Sequence, residues 1–370
     1  MKILQLGKFY PIRGGVEKVM YDIMRGLSRR RIQCDMLCAS TEDYPAGDIR
    51  INAYANVFVM PTALKVAATM LAPSMLWRLR RIANDYDIIH VHHPDPMAAL
   101  ALFLSGYKGK VLLHWHSDIV KQKNLMKLYK PLQDWLIKRA DYIVGTTPIY
   151  VQQSPFLQDY QSKMDYIPIG IDPLTCPEEK IRTIREKYKD KFLIYSIGRL
   201  VEYKGYEYLI KAAVHLPVNY KVIIAGKGPL HEALKDLIVR LKVEDKVELL
   251  GFLSDEEAHA YFHACDLYVL SSVMKTEAFA IVQIEAMSCG KPVVTAEIPG
   301  SGVSWVNQDG VSGLLCKRED PKDLAKKITQ IGEDESLRMV LGKGAKTRFD
   351  TVFTMDAMID KTLNIYNTIL

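Results

Sequence analysis

Two glutamates, Glu277 and Glu285, close the ends of an apolar run, EAFAIVQIE, which is followed at once by AMSCGKPVVT. Eight residues of helix rise ~12 Å, so the two carboxylates reach separate points and cannot share a proton as an acid/base dyad. With the helix expected to begin near Ala278 to Ala280, the spacing suits an elongated ligand. Glu277 would meet a polyol at the loop end, backbone amides around Phe279, Ala280 and Ile281 a diphosphate, and Glu285 a second polyol such as a ribose. A sugar nucleotide has its parts in this order. Two glutamates on an ordinary amphipathic helix are the competing reading, weakened by the place of Glu285 within an apolar face.

Further groups of the right type stand after strand-like runs. SIGRLVEYKG places Arg199 directly behind such a run and Lys204 with Gly205 just before a helical one. Two cations there suit a diphosphate without a metal ion, Arg199 by its bidentate fork and Lys204 as a point charge. AGKGP, with Gly226, and LGFLS, with Gly251 to Leu253, are tight loops in equivalent places. In the first half GKFYPIRGGVEK sets Gly14 and Gly15 before a helix whose first turn holds Glu17. The pair lets backbone approach a ligand closely. It is not a phosphate-binding Walker loop, and it lacks the dinucleotide glycine spacing.

Histidines crowd two segments, DIIHVHHPDP and HWHSD. On a strand His90 and His92 share one face while His93 opposes them, so three-histidine metal binding requires the strand to have ended. No metal is expected. His114 and His116 share a face of the next strand. His116, at its end, could bond a substrate hydroxyl or move a proton. Core packing is the alternative for both and fits His114 better. Asp85-Tyr86-Asp87 has the look of a metal-sugar DxD motif, but it precedes its strand and is read as a cap.

The elements that must carry these groups alternate. KILQLG, DIIHVHH, VLLHWHS and YIVGTT in the first half, and FLIYSIG, KVIIAG, VELLGFL, LYVLSS and PVVTAE in the second, are short apolar runs, nearly all followed by helical spacing. Such alternation implies parallel βαβ units and two doubly wound sheets, the α/β class. Ligands then bind at the carboxyl ends of the strands. Pro168, Gly170 and Pro173 punctuate the chain between the two series. Domains are therefore expected over 1–168 and 169–354, with a last helix over 355–370 that could cross back to the first.

With 370 residues, 49% hydrophobic and 25% charged, the chain has material for two ordinary cores. The six cysteines form no CxxC, and MKILQLGKFYP turns polar before an apolar signal core develops. A reducing, cytoplasmic setting is expected, and no apolar stretch is long enough to span a bilayer. Residues 1–168 hold 22 Lys and Arg against 14 Asp and Glu, so the overall charge of +6 comes from the first half. RGLSRRR (25–31), WRLRR (77–81) and KQKNLMKLYK (121–130) concentrate it. These stretches suit peripheral docking on an anionic membrane face, or are solvated helix faces. They lack a nucleic-acid recognition motif, so no nucleic acid is expected.

GRLVEYKG, AGKGP, LGFLS and EAFAIVQIEAMSCGKPVV together resemble the signature series of retaining glycosyltransferases of the GT-B fold, family 4. PIRGGVEK, DIIHVHHP and HWHSDI are similar to loops of the same family, and PGSGVSWV resembles its bacterial O-antigen, capsule and exopolysaccharide members. The resemblance implies two Rossmann-like domains facing across a cleft and a nucleoside-diphosphate sugar, UDP- or GDP-linked, as donor with no further cofactor. A glycan or polyprenyl-diphosphate-linked glycan would be the acceptor. It implies Arg199 and Lys204 on the donor diphosphate, Glu285 on the ribose and Glu277 on the transferred sugar's hydroxyls. His116 would lie near the anomeric centre, Gly14 and Gly15 beside the diphosphate, and Gly226 and Leu253 toward the base. Ala280 departs from the pattern, which usually has glycine there. A nucleotide-sugar epimerase on the same plan and a sugar-nucleotide-binding protein of low turnover are the alternatives.

Overall fold

The computed structural model describes residues 1–41, 43–66, 69–119 and 123–370. The chain forms two compact units, residues 1–170 with 355–370 and residues 171–354. The division thus falls two residues beyond the punctuation at Pro168, and the last helix belongs to the first unit.

Among the described residues the first unit has ten strands: β1 (Lys2–Tyr10), β2 (Gln33–Ser40), β3 (Gly47–Asn52), β4 (Ala55–Met60), β5 (Leu64–Val66), β6 (Thr69–Leu71), β7 (Ile88–His93), β8 (Lys110–Trp115), β9 (Tyr142–Gly145) and β10 (Met164–Tyr166). The main sheet runs β10-β9-β8-β7-β1-β2-β4-β3, with β5 and β6 as a separate pair. All its pairings are parallel except β3 with β4. Apolar periodicity gave no sign of β3 to β6. Exposed and half-buried residues dominate β3, β5 and β6, so burial leaves little pattern there. Val19, Ile23 and Leu27 bury one stripe of helix Val16–Arg29, as 3.6-residue spacing requires.

The second unit holds β11 (Phe192–Ile197), β12 (Tyr220–Ala225), β13 (Val247–Gly251), β14 (Leu267–Leu270), β15 (Val293–Ala296) and β16 (Gly313–Cys316), in the order β13-β12-β11-β14-β15-β16. All pairings are parallel. β11 and β12 are buried along nearly their whole length, the mark of strands covered by helices on both faces. The order reverses direction between β11 and β14, and in the first sheet between β1 and β7. Crevices open at such reversals, outside the carboxyl ends of the strands.

Helix Met355–Ile369 packs in the first unit, where Arg30 pairs with Asp356 and Asp360 on it and Lys361 pairs with Asp165. All six cysteines are free thiols. No helix among the described residues is long and apolar enough to cross a membrane.

Candidate functional site

In the second unit the expected residues gather at the carboxyl end of the sheet. The loop after β11 carries Arg199, exposed, with no side-chain hydrogen bond or ion pair among the described residues. Gly198 and Gly226 bring the ends of β11 and β12 into backbone contact, since a Cβ at Gly226 would meet the Gly198 carbonyl oxygen at 1.9 Å. Gly226 N–H donates to the Gly251 carbonyl, which joins the end of β13. Leu253 follows, half-buried, and Phe252 lies exposed under the Lys227 ammonium at 5.0 Å.

Lys204 ends a single turn, Glu202–Lys204, and Gly205 behind it adopts φ 64°. Its backbone passes so close to Ser271 that a Cβ would meet that carbonyl oxygen at 2.2 Å. Glycine therefore lets the lysine loop dock on the end of β14. The docking is completed by Ser271 Oγ donating to the Lys204 carbonyl and Val273 N–H to that of Tyr203.

This contact lays Lys204 Nζ 2.5 Å from Glu277 Oε2, with both side chains 11% exposed. Ser272 Oγ also donates to Glu277 Oε2 at 2.8 Å, and Ser301 Oγ donates to the Glu277 carbonyl. A buried charge pair of this kind persists only when its remaining lone pairs find donors, which the serine supplies. Spacing along the sequence had shown neither serine nor the pairing itself; it had assigned Lys204 to phosphate and Glu277 to sugar as independent groups.

The helix expected to start near Ala278 to Ala280 starts at Ile281 and runs to Ser288. Ala280 is its N-cap, with φ 61° and ψ 82°, a left-handed conformation that alanine adopts at a cost of roughly 1–2 kcal/mol. That bend delays the helix. Gln283 N–H donates to the Ala280 carbonyl, and the amides of Ile281 and Val282 lie at the positive end of the helix dipole. Phe279 is buried, while Ile281 and Glu285 are half-buried and on the exposed side of the helix. Thr276 Oγ1 and Gln283 Oε1 are buried without hydrogen-bond partners among the described residues. The arrangement places cations, helix amides and carboxylates on loops at the carboxyl end of one sheet.

In the first unit Gly15 caps helix Val16–Arg29 with φ 69°, and Gly14 has φ 129° with open space where a Cβ would stand. Glu17, in the first turn, is 8% exposed, and burial raises its carboxyl above the usual range. Lys8 ends the straight part of β1 with φ 57°. Its N–H donates to Asp95 at 2.5 Å and its ammonium to the Pro94 carbonyl.

β7 continues through His93, so the histidines alternate as strand geometry dictates. His93 stacks on Trp115 at 3.7 Å on one face; His90, His92, His114 and His116 cluster on the other. All are buried, and burial holds every one of these imidazoles neutral, His93 and His114 down to about 3. His116 is as buried as the others, at 5%, against the expectation of a presented side chain. His90, His92 and His114 hold ring nitrogens within 4.8 Å of one another. Both nitrogens of His92 already have partners, Gln5 and His116, which leaves two open rings where a tetrahedral metal site wants four ligands. Asp87 accepts from the Lys2 N–H and Tyr86 donates to Asp35, so the DYD segment is structural.

In each basic stretch one cation is paired: Arg30 with Asp356 and Asp360, Arg78 with Asp48, Lys130 with Asp134. Of the stretch 121–130, residues 121 and 122 lie outside the described residues.

Comparison with known proteins agrees with this geometry. The family described as glycosyl transferases group 1 matches residues 177–348, and glycosyltransferase family 4 matches residues 13–173. O-antigen chain mannosyltransferase C of Escherichia coli is 33% identical over 374 residues, 100% of this chain and 99% of its own. The N-acetylgalactosamine-N,N'-diacetylbacillosaminyl-diphospho-undecaprenol 4-alpha-N-acetylgalactosaminyltransferase of Campylobacter jejuni is 35% identical over 283 residues, 74% of each chain. HepE of Anabaena, solved in complex with UDP, superposes with a TM-score of 0.78 at 22% identity, covering both chains fully. That likeness shows the fold, GT-B. With one enzyme family accounting for both halves of the sequence, the chain belongs to the family 4, group 1 glycosyltransferases.

Proposed function

We propose that this glycosyltransferase moves a hexose-type sugar from a UDP- or GDP-linked donor to a glycan or polyprenyl-diphosphate-linked glycan of a bacterial surface polysaccharide, with retention at the anomeric carbon and without a metal ion. The Lys204–Glu277 pair beside the start of helix Ile281–Ser288 carries the reading. Cleavage of the anomeric C–O bond leaves a nucleoside diphosphate. Arg199, Lys204 and the helix amides stabilise its developing charge, electrostatic work that a metal ion does elsewhere. The bond from acceptor oxygen to anomeric carbon forms as that bond breaks, and the acceptor's proton passes to the leaving phosphate. Same-face attack rests on the family resemblance, as do the roles of Glu285 on the ribose, of Gly14 and Gly15 at the diphosphate, and of Gly226 and Leu253 near the base. Glu277 is in place to accept sugar hydroxyls while Lys204 holds its charge.

The names of the relatives support a mannosyl or N-acetylhexosaminyl transfer and, in the Campylobacter enzyme, an undecaprenyl-diphosphate acceptor. An apolar groove of about 290 Å³ in the first unit, lined by Leu71, Met97, Leu100, Leu128 and Leu132, supports a lipid-linked acceptor. Trp77, 67% exposed beside Arg80 and Arg81, supports contact with an anionic membrane face.

Incubation with UDP- and GDP-sugars, a polyprenyl-diphosphate glycan and EDTA tests the reading. An α-linked product from an α-linked donor, formed at an unchanged rate with EDTA, is expected. Inverted product, EDTA-sensitive turnover, or epimerised donor without acceptor would each overturn it.

A further inference from the structure

Five buried polar side chains from separate parts of the first unit form one hydrogen-bonded line. Tyr366, on helix Met355–Ile369, lies 3.0 Å from Gln5 Nε2 and 2.7 Å from His90 Nδ1. Gln5, on β1, turns its Oε1 to His92 Nε2 at 2.7 Å. His92 Nδ1 in turn lies 2.9 Å from His116 Nε2. Gln5, His90, His92 and Tyr366 are all fully buried.

Proton positions follow from the ends of the line. A carboxamide oxygen only accepts, so His92 Nε2 carries a hydrogen and donates it to Gln5. A neutral imidazole has one N–H, and burial keeps His92 neutral. Its Nδ1 is therefore an acceptor, and His116 Nε2 must be the donor that meets it. His116, also neutral, is left with a bare Nδ1. Tyr366 is consistent at the other end: it accepts from Gln5 Nε2–H and donates to His90 Nδ1.

We propose that Tyr366, Gln5 and His92 are positioning residues that fix His116 in the Nε2–H tautomer, so that its free Nδ1 can accept a hydrogen bond from a sugar hydroxyl but cannot donate one to a phosphate oxygen. The role of His116 toward the donor rests on the function proposed above; its tautomer does not. A lone pair also favours positive charge developing at an anomeric carbon, whereas an N–H would oppose it. The line thus assigns His116 to the sugar side of the reaction and makes the last helix, through Tyr366, part of its support.

Long-range ¹H–¹⁵N spectra of the full chain with ¹⁵N-labelled histidine test this, His116 being assigned from the signal lost in His116→Asn. The wild type should show His116 as the Nε2–H form with an unprotonated Nδ1. Gln5→Leu removes the acceptor of His92 and should mix the two tautomers of His116. Tyr366→Phe removes the hydroxyl that accepts from Gln5 Nε2 and holds this amide orientation, and should mix the tautomers to a smaller extent. A wild-type His116 protonated on Nδ1, or a well-folded Gln5→Leu protein with an unchanged tautomer, overturns the proposal; the wild-type spectrum decides even where Gln5→Leu folds poorly. Hydrolysis of UDP-glucose and GDP-mannose gives the functional arm. Gln5→Leu should lower kcat about tenfold with KM within twofold, and an unchanged kcat in a protein with mixed tautomers would remove the catalytic consequence. If the wild type turns over neither nucleotide sugar nor any sugar-nucleotide and acceptor pair, the proposed function fails, while the spectra still settle the tautomer.

Discussion

The strand ends of the second unit present charge, and those of the first present neutral rings, although both sheets reverse direction beside their first strand. After β11 and β14 the chain places Arg199, Lys204 and Glu277, with a serine on the carboxylate to make its burial tolerable. In and directly behind β7 and β8 it places five buried histidines: His90, His92, His93 and His116 bond through ring nitrogens to one another or to amide and phenol groups, while both ring nitrogens of His114 are without partners among the described residues. Lys8 is the cation whose charge bears on His92, His93 and His116, and its ammonium is engaged by the Pro94 carbonyl. The difference separates two tasks. A diphosphate needs fixed charge, which only paired and hydrogen-bonded groups can supply from a buried position. A sugar needs directional neutral acceptors, and neutral imidazoles meet that need without the cost of a buried charge.

Acid separates the units most. A histidine that stays neutral in the fold but protonates when unfolded stabilises the fold above its unfolded value near 6.5, and that stability is lost as pH falls below it. His93 and His114, both held down to about 3, should each cost ~2 kcal/mol at pH 5 by proton linkage. His90, His92 and His116 add in the same direction. The second unit has a single histidine displaced this way, His263, half-buried. Hydrogen exchange between pH 7 and 5 should therefore show β7 and β8 opening before β11 and β14. The opposite order would break the comparison.

Charge removal acts on the other unit. Lys204→Ala should lower turnover roughly 10²–10³-fold, the usual loss when one stabilising donor is removed from developing charge. It should also lower the melting temperature of the second unit more than Lys204→Ala/Glu277→Gln does, because the single change leaves a buried carboxylate unpaired. Equal melting temperatures would show the pair to be better solvated than its burial indicates. His116→Asn should reduce kcat with little effect on UDP or GDP affinity, since the side-chain contacts proposed for the nucleotide belong to the second unit; a tenfold loss of nucleotide affinity would contradict that division.

Two smaller effects sharpen the picture. Glu285→Ala should weaken UDP and GDP binding by ~1.5–3 kcal/mol, about one to two powers of ten, if its carboxylate takes ribose hydroxyls. Ala280→Gly relieves ~1–2 kcal/mol of left-handed strain and loses about half of that to glycine's freedom in the unfolded chain. A net gain of about 0.5–1 kcal/mol in denaturant unfolding is expected, with activity rising only if the Ala280 methyl group also crowds the phosphates.

What the sequence made legible was whatever repeats locally. Short apolar runs followed by helical spacing announced two parallel sheets, and the positions behind those runs pointed to Arg199, Lys204 and Glu277. β2 to β6, β10 and β16 were missed: β3, β5 and β6 are exposed or half-buried and carry no apolar signature, β10 and β16 are short, and the largely buried β2 and β4 are interrupted by polar Asp35 and Asn56. The helix start was placed early because FAIV reads as one apolar run, while the backbone bends at Ala280 before it coils. Contacts far apart in the chain stayed hidden: Gln5 meets Tyr366 across 361 residues, and Glu277 meets Ser301 across 24. No periodicity reports such a meeting. His116 is more buried than a strand end suggests, since a strand end looks open until the neighbouring strands are known.

Calorimetric titration of UDP and GDP into the wild type and Arg199→Ala/Lys204→Ala, each with and without EDTA, tests the central claim most directly. Binding in the wild type that EDTA leaves unchanged, and that falls at least a hundredfold in the double variant, is predicted from the loss of two charge-assisted contacts of ~1.5–3 kcal/mol each. Equal affinity in both proteins, or binding that vanishes with EDTA, would contradict it.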